Sequence, residues 1–168
     1  MKKPALIHVT ADRLRELLDY NPETGVFTRK VTRGPSVAGS VAGNKRKNGY
    51  VYIMVDGVRY LAHRLAWFYV HGVDPLVEID HKDRNPSNNA IANLRLADRS
   101  GNSSNREFGI PKSGFRGVYQ QKRRWWARIC KDGQHFNLGS FPTPEAAHAA
   151  YADAARKLFG EFSYAAAA

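Results

Sequence analysis

The chain has 168 residues, with 26 lysines and arginines against 15 aspartates and glutamates, a formal charge of +11 and a sequence pI near 10. At 43% hydrophobic it can bury a core, but its length suits one compact domain or two small ones and excludes a large enzyme scaffold. One cysteine, Cys130, leaves nothing for an internal disulfide or a thiolate-built structural zinc site, which points to a cytoplasmic setting. No run approaches the roughly 18 apolar residues of a membrane span, and no secretory signal precedes residue 20, so neither a membrane partner nor export is expected. The surplus charge attracts polyanions, nucleic acid before a small-molecule substrate. It is not a tail: residues 1–108 hold 17 basic and 11 acidic groups, and residues 109–168 hold 9 and 4.

Thr10 can cap a helix carrying Leu14, Leu17 and Leu18 on one face, with Asn21-Pro22 ending it. Val26-Phe27 is a strand candidate. The basic turn Asn44-Lys45-Arg46-Lys47-Asn48 is either a solvated loop or a phosphate-contacting one. Tyr50–Val55 and Val58–Leu61 flank Asp56-Gly57, a hairpin signal, and Ala62–Val70 reads as a helix closed by His71-Gly72. Val77–Asp80 and Asn93–Leu96 read as short strands around an Asn-rich loop, and Asp98 can cap a helix running to about Arg106.

Residues 107–113 form a Gly/Pro/Lys break and the expected linker. Beyond it, Phe115–Tyr119, Arg124–Cys130 and His135–Leu138 read as strands, the last two joined at Asp132-Gly133. Thr143-Pro144-Glu145 starts a helix with Ala147, Ala150, Tyr151, Ala154 and Leu158 on one face. The fold class predicted is α+β, ending in a three-stranded antiparallel sheet packed on one helix.

The middle of the chain concentrates groups that move protons and hold hard cations: Asp80 and His81, then Asn88, Asn89, Asn93, Asn102 and Asn105. Cutting a phosphodiester needs a base near neutral pH and stabilisation of charge on the phosphoryl and leaving oxygens. His81 suits the first task, and Mg²⁺ or Mn²⁺ held by the Asp80 carboxylate and the Asn102 amide suits the second. Asn93, placed in the paired strand, could accept from one imidazole nitrogen and fix the tautomer. His63, beside Arg64 on a helix, is either a structural hydrogen-bonder or a phosphate contact.

The stretch IDHKDRNPSNNAIANLRLADRSGNSSNR, with Asn93 12 residues after His81 and Asn102 a further 9 along, resembles the HNH nuclease motif in the His-Asn-Asn variety of phage and intron-encoded homing endonucleases; LAHRLAW upstream is also typical. The resemblance implies a ββα-metal nuclease domain over residues 1–106, its core at about 76–106 behind an extension at 10–72. His81 would be the general base, Asn93 its orienter, and Asp80 with Asn102 the holders of one divalent ion. His63, Asn89 and Asn105 match recurrent positions of less defined role.

FRGV at Phe115, the Trp125–Ile129 strand, LGSF and the EAAHAAY helix resemble the AP2 DNA-binding domain over about residues 114–164. The resemblance implies a sheet laid against duplex DNA, with Arg116, Tyr119, Gln121, Arg124, Trp126, Arg128, His135 and Asn137 facing the groove. Alternation independently turns Trp125, Ala127 and Ile129 toward the helix and leaves Trp126 beside Arg128 exposed. Lys122 and Arg123, in the turn before Arg124, are expected phosphate contacts. The sequence therefore predicts a metal-dependent DNA endonuclease that nicks one strand per site. A non-cleaving DNA-binding regulator is the alternative, and an RNA binder a third.

Overall fold

The computed structural model describes residues 6–98, 101, 102, 105 and 111–163, which fall into two compact units, Met1–Ala97 and Asp98–Ala168. Most of the expected linker, residues 107–110, and parts of the expected Asp98–Arg106 helix lie outside the described residues. Among the described residues no helix is long and apolar enough to cross a membrane.

In the first unit, α1 (Ala11–Leu17) starts at Thr10, whose hydroxyl accepts from the Arg13 N–H at 3.2 Å. The helix stops short of the expected Asn21-Pro22. Leu18 instead opens β1 (Leu18–Tyr20), which pairs antiparallel with β2 (Phe27–Arg29) and buries Leu18, Tyr20 and Phe27. Burying three large apolar side chains outweighs one more helical turn. β3 (Asn44–Lys45), β4 (Val51–Val55) and β5 (Val58–Leu61) form an antiparallel sheet, with Asp56 (φ 44°) and Gly57 (φ 81°) making the expected hairpin turn. α2 (Ala62–His71) follows directly and ends on left-handed Gly72, as its sequence indicates. It buries Leu65, Ala66 and Phe68 in a core with Leu14, Phe27 and Ile53.

β6 (Glu78–His81) and β7 (Leu94–Ala97) form a separate ribbon in which Asp80 faces Arg95 and His81 faces Leu94 across the ladder. Both strands begin one residue later than the sequence suggests. The shift takes His81 into β6 and leaves Asn93 outside β7, at the end of a 3₁₀ turn, Ile91–Asn93.

In the second unit, Asp98 caps helical backbone: its carboxylate accepts from the Gly101 N–H at 2.7 Å, and its carbonyl from the Asn102 N–H at 3.0 Å. β8 (Val118–Gln121), β9 (Arg124–Lys131) and β10 (Gln134–Phe141) form an antiparallel sheet with β9 in the centre. α3 (Pro144–Phe159), capped by the Thr143 hydroxyl, packs on it. Val118, Ala127 and Ile129 meet Ala147, Tyr151 and Ala155 in the core, with Trp125 packed at its edge. Trp126 is half-buried rather than exposed, because Tyr119 and Ser140 flank it on the neighbouring strands.

Candidate active site and nucleic-acid interface

Three elements of the first unit converge on His81 of β6. From α2, the His63 ring stands nearly perpendicular to the His81 ring, centroids 5.0 Å apart. The ring of Tyr50, just ahead of β4, lies 6.0 Å from His81 and 5.6 Å from His63. From the β6–β7 loop, the Asn89 carboxamide oxygen stands 3.4 Å from His81 Nε2. His63 and His81 are buried, and an imidazole taken out of water resists protonation. Burial, reinforced by the charges of His81 and Arg64, holds His63 at about 3. Burial also lowers His81, with Asn89, Asp83 and Asp80 partly opposing it. Both rings are therefore neutral at neutral pH, the form a proton acceptor needs.

Asp80, buried on the same strand, receives Nε and Nη2 of Arg95 on one oxygen, Oδ2, at 2.9 and 2.7 Å. Arg95 escaped the sequence reading, although a carboxylate opposite a cation on a ribbon invites this cross-strand pair. Upstream, the buried Arg64 on α2 donates to Asp74 at 2.5 Å and to the Pro75 carbonyl at 2.7 Å. That clasp fixes the segment leading into β6, so the motif's His63 and Arg64 serve different purposes from adjacent positions.

Asn93 departs from its expected role. Its Nδ2 donates to Asp83 Oδ1 and to the Asn88 carbonyl, each at 2.9 Å, and its Oδ1 accepts from the Asp83 N–H at 3.0 Å. Lying outside β7, it braces the loop instead of orienting the imidazole. Asn89 is the amide beside His81 Nε2. Burial would raise Asp83, but donors from Asn85, Asn88 and Asn93 hold it below its ordinary value. Asn89 is itself fixed from β1–β2: buried Tyr20 donates to its carbonyl at 2.8 Å, and Gly25 lies so close that a Cβ there would sit 2.2 Å from the Asn89 carbonyl carbon.

Among the described residues no three His, Cys, Asp or Glu side chains gather around a metal position. The donors the sequence nominates are oxygens, the Asp80 carboxylate and the Asn102 carboxamide. Arg95 donates twice to Oδ2 of Asp80. That donor chemistry fits a hard divalent ion, which Mg²⁺ satisfies with one or two protein oxygens, water and phosphate. Asn102 and buried Asn105 belong to the second unit.

On the second unit, Tyr119, Gln121, Lys122, Arg123, Arg124, Arg128, His135 and Asn137 are all exposed, and Arg116 and Trp126 are half-buried. The Arg128 guanidinium lies 5.8 Å from the Tyr119 ring centre, beside a cleft of about 270 Å³ lined also by Gly117, Cys130 and His135. Two of the ten are partly occupied within the sheet. Arg124 donates from Nε to the Ser140 hydroxyl at 3.1 Å and from Nη2 to its carbonyl at 2.9 Å. Asn137 Oδ1 accepts from the Gly139 N–H at 3.1 Å across the β10 bulge.

Residues 60–104 match the family model described as HNH endonuclease. An uncharacterized HNH endonuclease of Acanthamoeba polyphaga mimivirus is 33% identical over 119 residues, a stretch covering 70% of this chain but only 62% of the relative. No solved structure matches the chain. The matched stretch runs from β5 through His63, Asp80, His81, Asn89 and Asn93 to Asn102, so that over residues 60–104 this chain is similar to the HNH endonuclease family, and Tyr50 alone among the groups around His81 lies outside the match.

Proposed function

We propose that the chain is a divalent-metal-dependent DNA endonuclease that hydrolyses phosphodiester bonds in duplex DNA, cutting one strand per site. The observation that carries this reading is His81, a buried neutral imidazole adjacent to a buried carboxylate within a matched HNH domain. If Nε2–H donates to Asn89, Nδ1 keeps the lone pair that takes a proton from the attacking water. Tyr50 and His63 wall the ring and keep bulk water from competing for that proton. Asp80 would help hold one Mg²⁺ or Mn²⁺, which when bound stabilises negative charge on the phosphate and the leaving 3′ oxygen. Arg95 holds the Asp80 carboxylate in place, and Asn93 keeps the loop between the two strands in one conformation.

The second unit is the DNA-holding part in this reading, an AP2-like sheet on one helix. Its support is the exposed run of Tyr119, Gln121, Lys122, Arg123, Arg128 and His135, which combines phosphate-binding cations with side chains able to reach base edges. Incubation of supercoiled plasmid with the protein and Mg²⁺ or Mn²⁺ tests the whole proposal. Open circles should accumulate, EDTA should stop the reaction, and His81→Ala should lower the rate at least about 100-fold, the usual worth of a general base. Unchanged plasmid with every metal, or equal cutting by His81→Ala, would overturn it, and metal-independent binding without cutting would make the chain a regulator.

A further inference from the structure

The basic turn between β3 and β4 is not a free loop. Arg46 and Tyr50 close it through a backbone hydrogen bond of 2.9 Å, Gly49 N–H returns to the Arg46 carbonyl at 2.8 Å, and the Asn48 carboxamide oxygen accepts from the Tyr50 N–H at 3.2 Å. Gly49, at φ 82°, is the position that needs glycine, and it also seats the turn. A Cβ there would stand 2.7 Å from the Pro86 ring, and the Ser87 hydroxyl donates to the Gly49 carbonyl at 2.7 Å. Pro86 and Ser87 belong to the same braced loop as Asp83, Asn88 and Asn89. Tyr50, the next residue, presents its ring to His63 and His81. Three consecutive cations, Lys45 at the end of β3 and Arg46 and Lys47 in the turn, are therefore carried on backbone tied to Tyr50 and to the loop that holds Asn89.

Their surroundings do not neutralise them. All three are exposed, and none pairs with a carboxylate among the described residues. The acid of the loop on which the turn sits, Asp83, accepts hydrogen bonds from Asn85, Asn88 and Asn93 of that loop. Lys82, from that same loop, donates to the Ala92 carbonyl. Solubility alone does not require like charges on a clamped turn. Clamping removes backbone freedom before any ligand arrives, which is worth most where an extended anion must be held in one register.

We infer that Lys45, Arg46 and Lys47 grip the phosphate backbone of the strand being cut, beside the phosphate that His81 addresses. This rests on the reading of the chain as a nuclease of duplex DNA. It assigns the turn a positioning role through charge, indifferent to base sequence.

The test measures binding, so it does not depend on cutting. Fluorescence anisotropy of a labelled duplex, titrated with the full chain in EDTA over a range of salt, gives the slope of log affinity against log salt. Replacing Lys45, Arg46 and Lys47 together by Gln should make that slope shallower by about 2.7, roughly 0.9 for each lost phosphate contact. Each single replacement should account for about a third of this. Arg59→Gln, an exposed cation near the far end of the β4–β5 hairpin, should leave the slope unchanged. Thermal melts show whether the triple variant folds, and the single variants decide the matter if it does not. A triple or single variant with the wild-type slope overturns the inference even if the wild type nicks plasmid. Wild-type binding without nicking under any metal overturns the endonuclease reading alone, and absence of wild-type binding overturns both.

Discussion

Lowering the pH from 7.5 to 5.0 should cost the first unit about 2 kcal/mol of stability through His63 alone. In the unfolded chain this imidazole takes a proton near its ordinary value of 6.5, whereas in the fold burial against His81 and Arg64 holds it at about 3. A group whose folded value is depressed contributes its full stability above the unfolded value. The loss begins as the pH falls through 6.5 and grows until it reaches about 3. At pH 5.0 the unfolded state carries the proton and the native state does not, a difference of 1.5 pH units at about 1.4 kcal/mol each. The lowered value of His81 adds to the loss with the same sign. Asp83 does not enter, because its depressed value leaves it ionised throughout the interval. Urea unfolding at the two pH values would measure the effect, followed by the fluorescence of Trp67 after replacing Trp125 and Trp126 by Phe so that the first unit reports alone. His63→Phe keeps a flat ring in the same space and should remove about 2 kcal/mol of the pH dependence, whatever it does to absolute stability. An equal pH dependence in His63→Phe would refute the argument that burial keeps this ring neutral.

Gly25→Ala should damage the His81 site from a distance. Its Cβ would fall 2.2 Å from Asn89 and Ala90 backbone atoms, so the loop must move and take the Asn89 carboxamide with it. A plasmid-nicking rate at least 10-fold lower, with about 1–3 kcal/mol of stability lost in urea unfolding, is the expected result for such overpacking. Arg95→Ala leaves Asp80 as a buried charge without its guanidinium and should cost about 3–5 kcal/mol, and adding Asp80→Ala should restore most of it. A double variant no more stable than Arg95→Ala would contradict that account. In the second unit, Gly117→Ala should lower that unit's melting temperature, because the new methyl would lie 2.2 Å from the Tyr151 ring at a backbone φ of 70°. Calorimetry should show the transition of the first unit unmoved. The acid limb of the nicking rate should fall below pH 6.5, since His81 remains a base under conditions that protonate an exposed histidine; a limb at or above 6.5 would assign the base elsewhere.

What the sequence disclosed follows the range of the interactions concerned. Thr10, Asp56-Gly57, Gly72 and Thr143-Pro144 mark element ends through hydrogen bonds and φ preferences that span four residues or fewer, and each sits where its local chemistry requires. Leu18 shows the limit. Helical spacing places it on the same face as Leu14 and Leu17, but its partner is Arg29 of β2, a pairing that local pattern does not contain. The one-residue offset of β6 and β7 has the same origin. Both ends of the ribbon are set by matching Glu78 to Ala97 and His81 to Leu94, and that register depends on burying Ile79 and Leu94 in the core of the unit.

The site divides along the same line. Asp80 and His81 stand out in the sequence through their spacing to Asn93 and Asn102, since an Asp-His pair by itself is more often a surface hydrogen bond than a catalytic site. Other neighbours that decide what those groups can do lie outside the nominated set: Tyr50 and Arg95, together with Tyr20 and Gly25 behind Asn89. Asn93 and Asn89 illustrate why residue type alone could not separate their roles. Both are asparagines on one loop, four positions apart, and either carboxamide could accept from an imidazole. Asp83 settles it by engaging Asn93 through two hydrogen bonds, a geometry open only because Asn93 lies outside β7. That amide is bound to the loop, while the contacts from Tyr20 and Gly25 hold Asn89 beside the His81 ring.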